Sequence, residues 1–77
     1  MPKVAEFAGI AVYIYFGDHP PPHFHVRFQG LKAAVEIGSC GVLAGKLPAS
    51  VLSKVAHWAR ENEELLRARW AEEQSKG

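Results

Sequence analysis

Three consecutive prolines, Pro20-Pro21-Pro22, constrain this chain more than any other feature. Proline has no backbone N–H and a fixed φ, so the segment Gly17-Asp18-His19-Pro20-Pro21-Pro22 cannot lie in a central strand and is read as a stiff, polyproline II-like loop. On both sides of it the sequence has the period of two that marks strands with one apolar face. Before it, Ile10, Val12, Ile14 and Phe16 alternate with Ala11, Tyr13 and Tyr15. After it, Phe24, Val26 and Phe28 alternate with His23, His25 and Arg27, and beyond Gln29-Gly30 the residues Leu31, Ala33, Val35 and Ile37 alternate with Lys32, Ala34 and Glu36. The proline run therefore joins strands rather than interrupting one.

A two-residue turn at Gln29-Gly30 sets the hairpin register, with Phe28 facing Leu31, Val26 facing Ala33 and Phe24 facing Val35 on one side of the sheet. On the other side His23 then faces Glu36, His25 faces Ala34 and Arg27 faces Lys32. A shorter strand over 3–7 ends at Ala8-Gly9, and Gly38-Ser39-Cys40-Gly41 is a second turn leading to a strand over 42–46. Pro48 suits the first helical position, and Val51, Leu52, Val55, Trp58, Ala59, Leu65 and Leu66 recur at helical spacing after it. The fold class is thus α+β: a small antiparallel sheet of four to five strands (3–7, 10–16, 23–28, 31–37, 42–46), then one long C-terminal helix over 48–73 packed on one sheet face. That helix would be about 39 Å long, whereas a seven-residue strand spans about 24 Å. Its far end, with Leu65, Leu66 and Trp70, is therefore expected to meet a partner surface.

At 77 residues, with 48% hydrophobic and 22% charged residues, the chain reads as one globular domain. A domain of this size buries only about 60% of the surface its unfolded chain exposes, so a partner or a homodimer is expected to add stability. The single cysteine, Cys40, rules out an internal disulfide and a Cys-based zinc cluster, and its turn supplies no basic neighbour to activate a thiolate. With no signal-peptide core and no membrane-length apolar run, a cytoplasmic protein is expected. A net charge of +1 does not mark a general nucleic-acid binder, so any basic patch must be local.

The polar side of the hairpin carries the candidate chemistry. His23 and His25 are two apart in a strand, about 7 Å along one face, which suits two ligands of one metal. A third ligand would be His19 or Asp18, yet a polyproline II path would set His19 about 12 Å from His23. Zinc on His19, His23 and His25 therefore ranks behind a metal-free site, since a closed zinc site takes four ligands. In the metal-free reading His23 or His25 acts as general acid or base, Glu36 orients His23, and Asp18 and His19 complete the site from the loop. Arg27 and Lys32, like charges placed opposite each other, are suited to holding a phosphate. Tyr13 and Tyr15 flank the histidines and offer stacking surfaces for unpaired bases. The competing reading makes these solvated histidines and splayed cations, His57 an ordinary surface residue, and Gly45 a glycine that lets the helix approach the sheet.

The run from Tyr15 through Gly17-Asp18-His19-Pro20-Pro21-Pro22-His23-Phe24-His25 to Val26, with Met1-Pro2 and Phe7-x-Gly9-Ile10 before it, resembles the signature of the bacterial domain-of-unknown-function family 4160. Gly41-Val42-Leu43-x-Gly45-x-Leu47-Pro48, Trp58 and Glu64-Leu65 extend the resemblance along nearly the whole chain. Ile14 stands where relatives often carry methionine, and Gly17 where an acidic residue often precedes the aspartate, which removes a paired carboxylate from the loop. The resemblance implies a gene beside that of another small protein, similar to a toxin and antitoxin pair, and a toxin-like role acting on RNA. A non-enzymatic protein-binding module and a His-dependent metal hydrolase remain the alternatives.

Overall fold

The computed structural model describes residues 3–75. Five strands, β1 (Lys3–Phe7), β2 (Ile10–Tyr13), β3 (His23–Phe28), β4 (Leu31–Glu36) and β5 (Val42–Gly45), precede two helices, α1 (Ala49–Glu61) and α2 (Glu63–Ser75). The strands form one antiparallel sheet in chain order, each beside its sequence neighbour. The α+β class and the five-stranded sheet are as the alternation implies, but one long helix is replaced by two.

The β3–β4 hairpin has the register that the two-residue turn dictates, from Phe28↔Leu31 to His23↔Glu36. Gln29 and Gly30 both have positive φ, at 48° and 80°, the backbone twist that favours such a turn. The β2–β3 ladder stops at Tyr13↔His25, short of the expected Phe16. Three pairs further along, Phe16 would oppose Pro22, which has no N–H to donate. The chain leaves the sheet there, and the Pro20–Pro21 bond is cis. Pro22 is nonetheless tied to the sheet, its carbonyl accepting from the Ile37 N–H at 2.9 Å.

One sheet face holds Ile10, Val12, Ile14, Phe24, Val26, Ala33, Val35 and Ile37, all buried. Helix α1 covers this face with Val51, Val55 and Ala59, four residues apart and so on one stripe. Trp58 lies between Phe7, stacked at 5.3 Å, and Phe24, edge-on at 6.4 Å. Among the described residues no polar or charged side chain is buried, so apolar packing alone holds the core. Pro48, expected as the first helical residue, is instead the N-cap, one position before the observed helix start at Ala49, and its carbonyl accepts from the N–H groups of Val51 and Leu52.

The helix breaks at Asn62 (φ −122°, ψ 25°), whose backbone N–H and side-chain amide both donate to the Trp58 carbonyl. The break resolves the mismatch between helix and sheet length by turning α2 across the end of the sheet. Arg67 comes against Gly38, Trp70 against His23, and the Gln74 amide donates to the Tyr15 carbonyl at 3.2 Å. Leu66 is fully buried with the core residues, which corrects its expected place on a partner surface. Trp70 is likewise half-buried against the molecule's own core, and Leu65 alone of the three is exposed. Gly45 also differs from expectation. A Cβ there would lie 2.3 Å from the Lys32 carbonyl oxygen, so the close approach is to the backbone of β4 and not to a helix.

Candidate functional site

The face opposite the core is built by the intervening residues of β2 and β3 and by the chain on either side of the proline loop. Because Tyr13 pairs with His25 and Ala11 with Arg27, these side chains stand on the same side of the sheet. They form a continuous row. The Arg27 guanidinium lies 5.4 Å from the centre of the Tyr13 ring, Tyr13 stacks on Tyr15 at 5.9 Å, and Tyr15 meets the His25 ring at 4.6 Å. His25 meets His23 edge-on at 5.0 Å, and Trp70 from α2 closes the row against His23 at 5.2 Å. Lys32 is opposite Arg27 and borders a shallow hollow with His25, Ala34, Ala44 and Gly45.

Asp18 sits at the centre of the polar cluster. Its Oδ2 lies 3.0 Å from His25 Nε2 and 3.3 Å from His23 Nε2, so one carboxylate oxygen is shared by both imidazoles. His23 Nδ1 is 2.8 Å from the Pro21 carbonyl oxygen. A carbonyl can only accept, so Nδ1 carries a proton and donates it. This orients the ring and aims Nε2 at Asp18. The three side chains are partly accessible, at 26% for Asp18, 12% for His23 and 29% for His25, which leaves an approach for a ligand without leaving the groups free in water.

The structure thus brings together Asp18, His23, His25, Tyr13, Tyr15 and Arg27, and leaves two expected members apart. His19 is exposed and does not join the cluster. The zinc ligand set His19, His23 and His25 is corrected accordingly, with Asp18 in the place of His19: ligand atoms of Asp18, His23 and His25 lie within 4.8 Å of one another. Glu36 is opposite His23 in the register, but its carboxylate accepts from the Ser39 hydroxyl at 2.7 Å, and the carboxylate that orients the histidines is that of Asp18. Two contributors escape a reading of the sequence. The Pro21 carbonyl carries no side-chain signal, and Trp70 reaches His23 only because the helix breaks at Asn62.

A family model described as a domain of unknown function (DUF4160) matches residues 9–71, a span holding every residue of the cluster and row. The chain belongs to the DUF4160 family. No curated protein and no solved structure matches it. The DUF4160 match includes Trp70, so the α2 residue that closes the row lies within the span. Among the described residues no helix is long and apolar enough to cross a membrane.

Proposed function

We propose that this chain is the toxin-like half of a two-protein module, cleaving single-stranded RNA on the polar sheet face. The observation that carries this reading is the continuity of the row: a cation and two stacked tyrosines run directly into the Asp18–His23–His25 cluster. Stacking of bases on aromatic rings is tolerant of sequence and contributes about 1–3 kcal/mol per base. Arg27 and Lys32 supply the charge that holds a phosphate at the far end of the row. In the reaction the RNA 2′-hydroxyl gives its proton to the cluster and its oxygen attacks the adjacent phosphorus. The bond from phosphorus to the 5′-oxygen breaks, and the cluster returns a proton to that leaving oxygen. The products are a 2′,3′-cyclic phosphate and a free 5′-hydroxyl. Positioned proton transfer of this kind contributes about 10²–10⁴ in rate. The neighbouring-gene partner, implied by the family resemblance, would restrain this activity by covering the face.

The test is expression of the chain alone and with its neighbouring gene in a bacterial host, scoring growth and total RNA. Growth arrest with RNA loss, relieved by the neighbour and absent in the His23→Ala, His25→Ala double variant, is the expected result. Equal harmlessness of wild type and variant would remove the nuclease reading. A second reading, a non-enzymatic module that grips an acidic segment of its partner, is favoured by Arg27 and Lys32, both exposed and directly opposed. It predicts that charge removal at those two positions weakens a complex that the histidine substitutions leave intact.

A further inference from the structure

Within the Asp18–His23–His25 cluster, the contact between a neutral His23 and Asp18 lacks a proton. A neutral imidazole carries one N–H and one lone pair. Since His23 spends its N–H on the Pro21 carbonyl, the Nε2 of the neutral ring presents a lone pair to Asp18 Oδ2 at 3.3 Å. His25 Nε2 lies 3.0 Å from the same oxygen and donates to it in the tautomer that carries its proton there. The two acceptors His23 Nε2 and Asp18 Oδ2, directed at one another, repel unless something positive lies between them. We infer that a divalent transition-metal ion binds there, held by Asp18 Oδ2, His23 Nε2 and His25 Nε2.

The spacing fits. With metal–ligand bonds of about 2.1 Å and ligand angles between octahedral and tetrahedral values, neighbouring ligand atoms lie about 3.0–3.4 Å apart. The two carboxylate-to-imidazole separations are 3.0 and 3.3 Å. The ligand atoms of the three residues lie within 4.8 Å of one another. The surroundings fit as well. A ligating histidine typically donates its other N–H to a carbonyl or carboxylate, which fixes the ring and raises its basicity. The Pro21 carbonyl does this for His23. Trp70 and Tyr15 wall the two rings, and both histidines stand on one strand, so the ligands are held before the ion arrives. Two histidines and one carboxylate on one side of an ion leave its other positions open, the arrangement of a metal that binds substrate or water rather than one that only braces a fold.

The inference deepens the proposed function and rests on it only for the substrate. With the ion bound, a metal-bound water and the phosphate oxygens of RNA would occupy the open positions beside the aromatic row, and the cluster would take its proton through that water. Metal binding itself follows from the donor set, whatever the chain acts upon.

The full chain, stripped with a chelator and dialysed into metal-free buffer, is titrated with Co²⁺ while its visible absorption is followed, and Zn²⁺ is then added in competition. One equivalent of Co²⁺ should give a d–d band that Zn²⁺ abolishes. Asp18→Asn and His25→Ala should each weaken binding at least tenfold, while His19→Ala and Glu36→Gln leave it unchanged. Circular dichroism of every variant separates lost ligands from lost folding, and Asp18→Asn keeps the volume of the side chain it replaces. No band at millimolar Co²⁺, or a band that survives Asp18→Asn and His25→Ala together, overturns the inference. RNA cleavage is scored separately. Metal binding without cleavage upholds the site and removes the RNA reading, and cleavage that persists in chelator without Co²⁺ binding does the reverse.

Discussion

Leu65 and Leu66 are adjacent on α2 and chemically identical, and they separate two accounts of what that helix does. Leu66 is 0% exposed among the core residues, while Leu65 is 39% exposed. Truncating a fully buried leucine to alanine costs about 2–5 kcal/mol, combining lost transfer free energy and a residual cavity. At an end of the core, where α2 can settle inward, about 3 kcal/mol is expected for Leu66→Ala. For a domain of this size each kcal/mol lowers the melting temperature by about 4–8 °C, so the loss is about 12–24 °C. With a urea m-value of roughly 1 kcal/mol/M, the midpoint falls by about 3 M. Such a loss takes a large share of the about 4–12 kcal/mol available to a chain of this length. Leu65→Ala should change stability by less than about 0.5 kcal/mol, as surface substitutions do. Urea unfolding followed by tryptophan fluorescence reports on both helices, since Trp58 lies on α1 and Trp70 on α2. Equal effects of the two substitutions, or a Leu66→Ala cost below about 1 kcal/mol, would refute the packing of α2 into the core and return its apolar residues to a partner surface.

Gly45→Ala should cost about 2–4 kcal/mol, because φ is +82° and the new Cβ would meet the Lys32 carbonyl, whereas Gly17→Ala, at φ +76° with nothing within 4 Å, should cost about 1 kcal/mol; thermal melts of both variants check the difference. Tyr13→Ala should weaken binding of a fluorescent single-stranded oligoribonucleotide by about 1–3 kcal/mol. Arg27→Ala should lower the salt dependence of that binding by about 0.7 in slope, and affinities that do not change on either substitution would place RNA elsewhere. The Lys3 ammonium is raised above its ordinary value, chiefly by its hydrogen bond to Glu6, with desolvation opposing. Its contribution is therefore present below the ordinary lysine range and fades as pH rises through the elevated value. The side chain is exposed, so Lys3→Met should leave the melting curve at pH 7 unchanged within error.

The sheet was legible because its information is local. Alternation around Gln29-Gly30 fixes both the faces and the six pairs between 23–28 and 31–36, since a one-residue slip of β3 would expose Phe24 and Val26 and one of β4 would expose Ala33 and Val35. The break between α1 and α2 was not legible. Glu61-Asn62-Glu63 holds no glycine or proline, and the apolar spacing from Val51 to Leu66 runs across it; the break is held by Asn62, whose backbone and side-chain amides both donate to the Trp58 carbonyl. The same limit governed the site. The strand period places His23 and His25 on one face beside Tyr13, but the position of Asp18 depends on the path of the proline loop, and that path is written in no periodicity. Glu36 was the carboxylate the register offered, and Ser39, in the following turn, holds it by hydrogen bond instead.

Pro20, Pro21 and Pro22 give the loop a backbone of carbonyls without a single N–H. Such a stretch cannot fasten itself to anything that lacks a donor, nor trade hydrogen bonds with a neighbouring strand. Its two anchors both come from outside: the Ile37 N–H holds the Pro22 carbonyl, and the His23 ring holds that of Pro21. One of these is the last apolar position of the hairpin and the other a member of the cluster. Loosening the end of the hairpin at Ile37 therefore also frees the angle at which an imidazole meets Asp18, so a substitution remote from the polar face can mistune it while every polar side chain remains in place.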